Sequence, residues 1–129
     1  MVDIDKHISY WLKSADEDWE VANQLIRSGK VRHGLFFLHL TLEKVLKAHV
    51  CSHTQDMAPR VHNLTRLAEL SGLQFDQEKQ EFLADMSPLN LEGRYPEMWA
   101  AIPTVDEAET LSRKTEELFE WLKNLLLKP

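Results

Sequence analysis

Apolar residues recur along this chain at helical rather than strand spacing. Between residues 4 and 28, Ile8, Trp11, Leu12, Ala15, Trp19, Ala22 and Ile26 fall on one stripe of a helical wheel, and Gly29 follows as a stop. A second helix is predicted over residues 31–51. Its apolar positions, Leu35, Phe36, Leu38, Leu40, Leu42, Val45, Leu46, Ala48 and Val50, cover a far wider arc, as expected of a central helix packed on more than one side. The stretch SHTQDMAP breaks the pattern. A short third helix follows over residues 63–70, with Asn63 as its N-cap and Gly72 just past its end. A fourth, over residues 76–86, offers only Phe82, Leu83 and Met86 to a core. The last helix has the sharpest entry. Pro103 precedes it, Thr104 and Glu107 form a capping-box pattern, and Ala108, Leu111, Leu118, Phe119, Leu122, Leu125 and Leu126 line one face.

With no alternating apolar/polar run, four glycines and five prolines, the fold class read from the pattern is all-α. A length of 129 residues at 43% hydrophobic composition suits one domain, residues 1–129, with a core of its own. The connection PLNLEGRYPEMWAAIP, between the fourth and last helices, is longer than most in compact domains, and such connections often carry function.

Charge narrows the function classes. Fifteen basic residues against 21 acidic give a formal net charge of −6, and no run of Lys or Arg exceeds two, which argues against a broad electrostatic grip on a phosphate backbone. The single cysteine, Cys51, has no partner for an internal disulfide, and MVDIDKHISYW lacks the basic start and apolar run of a signal peptide. The expected location is the cytoplasm. No apolar run approaches the roughly 18 residues of a membrane span.

Charges also stand where a core is expected. On the first helix Asp18 lies inside the apolar stripe, between the directions of Trp11 and Leu25, and on the second Glu43 shares a side with Phe36, His39 and Val50, one turn before Lys47. A lone buried carboxylate costs several kcal/mol, so each acid must meet a cation or several donors. Three readings stand side by side: acid/base carboxylates, structural ion pairs (Asp18 with Lys44 or Lys47, Glu43 with Lys47), and a polar Glu43 fixing register at a subunit interface. His49 and His53, with His62, have a spacing that suits a metal, but no cysteine pair or clearly spaced carboxylate joins them; the expectation is a solvated helix end and no metal. Arg94 beside Tyr95 pairs a fork of donors with a ring, suited to phosphate plus base recognition or to anchoring the loop. Trp11, Trp19 and Trp121 read as core or interface, and Trp99 as a stacking platform.

Four stretches, in this order, resemble the HEPN family (higher eukaryote and prokaryote nucleotide-binding domain): Ala15-x-x-Asp18-x-x-x-Ala22, Glu43-Lys44-x-Leu46-Lys47-Ala48, His62-x-Leu64-x-x-Leu67 and Arg94-Tyr95-Pro96. The resemblance implies an up-and-down bundle of four to five helices that commonly dimerises and is often encoded beside a minimal nucleotidyltransferase. Many members of that family are metal-independent endoribonucleases with an Arg and, four to six residues on, a His late in the fold. Here no histidine follows Arg94. Arg27 to His33 and Arg32 to His39 have the spacing, but with six arginines and six histidines roughly one such match arises by chance. Leu40 and Thr41 stand where the family usually has glutamine and alanine. The resulting expectation is a non-catalytic homodimer without a cofactor, binding a nucleotide, a nucleotidyltransferase partner or both, in a toxin–antitoxin-like pair. Its candidate ligand contacts are Arg94, Tyr95, Lys44, Lys47 and His62. Two rivals are an RNA-cleaving enzyme with an atypical site among Arg32, His33, His39 and His62, and a structural adaptor without nucleotide affinity.

Overall fold

The computed structural model describes residues 3–89 and 102–127, and five helices account for the secondary structure among them. They are α1 (Ile4–Arg27), α2 (Val31–Thr54), α3 (Leu64–Leu70), α4 (Gln77–Met86) and α5 (Val105–Leu127). The protein is an all-α bundle.

Four of the five helices begin at a side chain that satisfies an orphan backbone N–H. Asp3 accepts from the Lys6 N–H, Asn63 from Arg66 at 2.9 Å, and Asp76 from Lys79 at 2.8 Å. Before α5 the capping box closes in both directions: Thr104 Oγ1 accepts from the Glu107 N–H at 3.1 Å while Glu107 Oε1 accepts from the Thr104 N–H at 2.9 Å.

α2 differs from expectation by running three residues further, through Ser52, His53 and Thr54. Thr54 donates its hydroxyl to the Val50 carbonyl at 2.8 Å, which keeps its side chain on the helix instead of opening a turn. The helix then ends on Gln55, which takes the left-handed conformation (φ 56°) usually left to glycine or asparagine.

α1 and α2 run antiparallel and pack closely because Gly34 stands at their crossing. A Cβ there would lie 2.5 Å from Ile26 Cγ1 and 3.0 Å from the Ala22 carbonyl oxygen, so only a glycine permits this approach. α2 also packs against α5 and α3, and α3 against α4. Leu35, Leu38, Leu42, Val45, Leu46 and Ala48 are fully buried within the one chain. The wide apolar arc of α2 is therefore covered by three neighbours. Phe36, Phe37 and Leu40 stay half-buried.

α5 lies along α1 and the far side of α2. Trp19 and Phe119 rings meet at 6.3 Å, Ser112 donates to Asn23 Oδ1 at 2.7 Å, and Lys123 pairs with Asp16 at 2.9 Å. Leu125, expected on the core face, is 37% exposed. It lies 100° around the helix from Leu126, at the edge of the stripe. No helix among the described residues is long and apolar enough to cross a membrane.

Candidate functional site

The antiparallel register of α1 and α2 brings the polar residues of both stripes together. Asp18, between Ala15 and Ala22 on the inward face of α1, lies 2.7 Å from Lys44 Nζ, and Lys44 also donates to Ser14 Oγ at 2.7 Å. Of the two lysines available on α2, Lys44 takes Asp18. Lys47 turns the other way and pairs with Glu43.

Glu43 is the hub of the second half. Only 3% exposed, it presents Oε2 to Lys47 Nζ at 3.1 Å and to His62 Nδ1 at 3.0 Å, while Oε1 lies 3.6 Å from Nδ1 of the fully buried His39. A carboxylate only accepts, so His62 Nδ1 carries the proton of that bond. Lys47 is 6% exposed and stands 5.2 Å from the centroid of the Trp11 ring, a cation–π contact that shields its ammonium on the side away from Glu43. His62, just before the Asn63 cap of α3, is about half exposed and is the point where this network meets water.

Three grooves among the described residues, between α4 and α5, α1 and α5, and α3 and α4, are lined by other residues. Lys44, Lys47 and His62, expected as ligand contacts, are each engaged by a carboxylate, Lys44 by Asp18 and the other two by Glu43.

Within one chain the alternative catalytic set falls into two groups. His39 and His62 meet at Glu43, but Arg32 and His33 sit in the first turn of α2, about 16 Å along the helix axis from Glu43 at 1.5 Å per residue. Arg94 and Tyr95, and with them Trp99, lie outside the described residues.

The expectation of a solvated helix end holds for His53, which is exposed, and needs correcting at His49. His49 is buried against α5 and donates Nε2–H to the Leu122 carbonyl at 2.7 Å. Burial holds its pKa below the ordinary value, with that hydrogen bond opposing in part. His53 packs its ring over Gly72, where a Cβ would come within 2.5 Å. The two histidines thus face different elements, and no three His, Cys, Asp or Glu among the described residues are grouped to hold a metal ion. Burial likewise pushes the Cys51 thiol up, away from thiolate chemistry.

Some of this network was present in the chain as spacing. His39, Glu43 and Lys47 recur every four residues along α2, a polar line that predicts mutual contact. Trp11 and Ser14 gave no such signal, since their partners lie on another helix.

A family model, "HEPN domain", matches residues 8–125. The chain belongs to the HEPN domain family. No curated protein matches it. Among solved structures, this HEPN domain superposes on the crystal structure of TT1696 from Thermus thermophilus with a TM-score of 0.75 at 18% identity, over 91% of this chain and 96% of that one. An identity that low speaks for a shared fold and no further. The HEPN match takes in all of α2, most of α1 and α5, and the whole network of Asp18, Lys44, Glu43, Lys47 and His62.

Proposed function

We propose that this HEPN domain works by binding and not by catalysis, as a homodimer that engages a minimal nucleotidyltransferase partner, with nucleotide as a ligand, in a toxin–antitoxin-like pair. The observation that carries the non-catalytic part is the ion pairing and burial of its core acids: Asp18 is paired with Lys44, and Glu43 with Lys47 and His62. Among the described residues Glu43 Oε1 accepts no hydrogen bond, but it is buried beside the His39 ring.

What supports the dimer is a strip of half-buried apolar groups beside Lys44. Phe37 and Leu40 lie within two turns of Lys44 on α2, and Phe36 meets Phe37 edge to face at 5.7 Å. Ser14, which touches Lys44, is followed two turns along α1 by Val21, 36% exposed. Such a strip, framed by polar groups, suits a self-complementary two-fold contact.

Sedimentation at tens of micromolar tests the dimer, with wild type expected at twice the monomer mass and Phe37→Glu/Leu40→Glu as a monomer. A monomeric wild type refutes it. Calorimetry with ATP, UTP and GTP tests the ligand: heat with one of them is expected, and none with any leaves only the protein partner. RNA cleavage by the purified protein that disappears in His62→Ala would overturn the non-catalytic reading.

A further inference from the structure

A groove of about 410 Å³ runs between α4 and α5, on surface that neither the charge network nor the strip beside Lys44 uses. Its floor is apolar and aromatic, made by Phe82, Leu118 and Trp121. Trp121 is held in place on two sides: Phe75 meets it edge to face at 5.5 Å, and Lys79, itself tied to Asp76 at 3.0 Å, stands 4.8 Å from its ring centroid. The floor is thus a preformed platform and not a loose cluster.

The rim is acidic, and its acids are ordered. Glu78, Glu81 and Asp85 follow one another at i, i+3 and i+7 along α4, so they form one line about 10 Å long at 1.5 Å per residue. Glu117 faces them from α5. Against these four carboxylates the lining holds two lysines, Lys114 and Lys79, and Lys79 is already committed to Asp76 and the Trp121 ring. Among the described residues Glu78, Asp85 and Glu117 have no ion pair, whereas Glu81 accepts from Gln77 at 3.0 Å. A line of exposed acids without ion pairs beside an apolar trough selects for a cationic occupant.

We propose that the α4/α5 groove docks a basic amphipathic segment of a partner protein, its apolar side chains entering the trough over Phe82, Leu118 and Trp121 while Lys or Arg residues pair with Glu78, Glu81 and Asp85. A helical segment bearing cations at the same i, i+3, i+7 spacing matches the line of acids in length and direction. A second copy of this chain is the poorer occupant, because each copy carries a formal charge of −6. The assignment stands apart from the dimer and from nucleotide binding, and its test reads neither.

Fluorescence anisotropy with a labelled amphipathic peptide, leucines on one face and lysines at i, i+3 and i+7, measures the docking. Wild-type protein is expected to bind it in a salt-sensitive manner, and Glu81→Lys/Asp85→Lys to weaken binding about tenfold or more as two rim charges turn repulsive. Both residues are exposed, so circular dichroism should show an unchanged fold. The matched reversal on α1, Asp5→Lys/Glu17→Lys, is expected to change affinity less than about twofold, which separates docking in the groove from attraction to net charge. Equal weakening by both pairs of reversals would overturn the proposal. So would equal binding of a peptide with glutamates in place of its lysines, or no binding by wild type.

Discussion

Replacing Glu43 with leucine removes the one anion that Lys47 touches among the described residues and leaves an ammonium that is 6% exposed facing the Trp11 ring. Breaking one side of a buried pair costs about 3–5 kcal/mol, most of it the penalty of the orphaned charge. In a domain of this size each kcal/mol lowers Tm by roughly 4 °C, so a fall of roughly 12–20 °C is expected. Lys47→Met should cost less. Glu43 then keeps His62 at 3.0 Å, and His62 is half exposed and has water to stabilise its charge. The double variant Glu43→Leu/Lys47→Met fills the same space with apolar groups and strands no buried ion. Its expected stability lies within about 1 kcal/mol of wild type, far above the sum of the single losses. Urea denaturation monitored by circular dichroism gives the four free energies, and an unchanged m-value certifies the comparison. If Glu43→Leu costs under about 1 kcal/mol, or if the double variant loses as much as both singles together, Glu43 is not held as the centre of a buried ion pair and the structural reading of the site fails.

Three further outcomes follow from the same contacts. His49 has a native pKa below its unfolded value, which lies near 6.5, so its contribution is fully present above that pH and is lost as pH falls toward the native value; thermal melts of wild type should drop between pH 7 and 5 more steeply than those of His49→Gln. Gly34→Ala gains roughly 1 kcal/mol of helix propensity but drives a methyl against Ile26 and the Ala22 carbonyl, at a cost of roughly 1–3 kcal/mol, so net destabilisation is expected and a raised Tm would refute the close crossing. Donors hold Glu107 (the Thr104 N–H first, then its hydroxyl) and Asp76 (the Lys79 N–H first, then its ammonium) below the usual carboxylate range; stability should therefore persist above about pH 4.3 and fall below it, with a shallower fall in Thr104→Ala, measured by denaturant titration across that range.

Local chemistry was legible in the chain, and long-range chemistry was not. The boundaries of α3 and α5 followed from Asn63 and the Thr104/Glu107 box, because a cap acts within three residues of itself. The end of α2 escaped notice because Gln55 adopts a backbone conformation that its side chain does not advertise. The inward charges of Asp18 and Glu43 were visible on helical wheels, and so was the i, i+4 partner Lys47. Which lysine reaches Asp18 depends on the register of α1 against α2, which Gly34 sets through a tertiary contact. His62 reaches Glu43 across 19 residues and His49 reaches Leu122 across 73, and no local pattern encodes such reach. The extra apolar breadth of α2, expected of a central helix packed on more than one side, is mostly the shared floor under α1, α3 and α5.

That sharing has a thermodynamic consequence. A rod that every large interface includes cannot detach without dissolving them all, so amide protons in the middle of α2 should exchange only when the entire molecule opens. α4 docks chiefly on the seven-residue α3 and reaches the common core through Leu83 and Met86, so its amides should exchange sooner than those in the middle of α2. The protein thus carries a cooperative spine, with the acidic groove fixed on its flank.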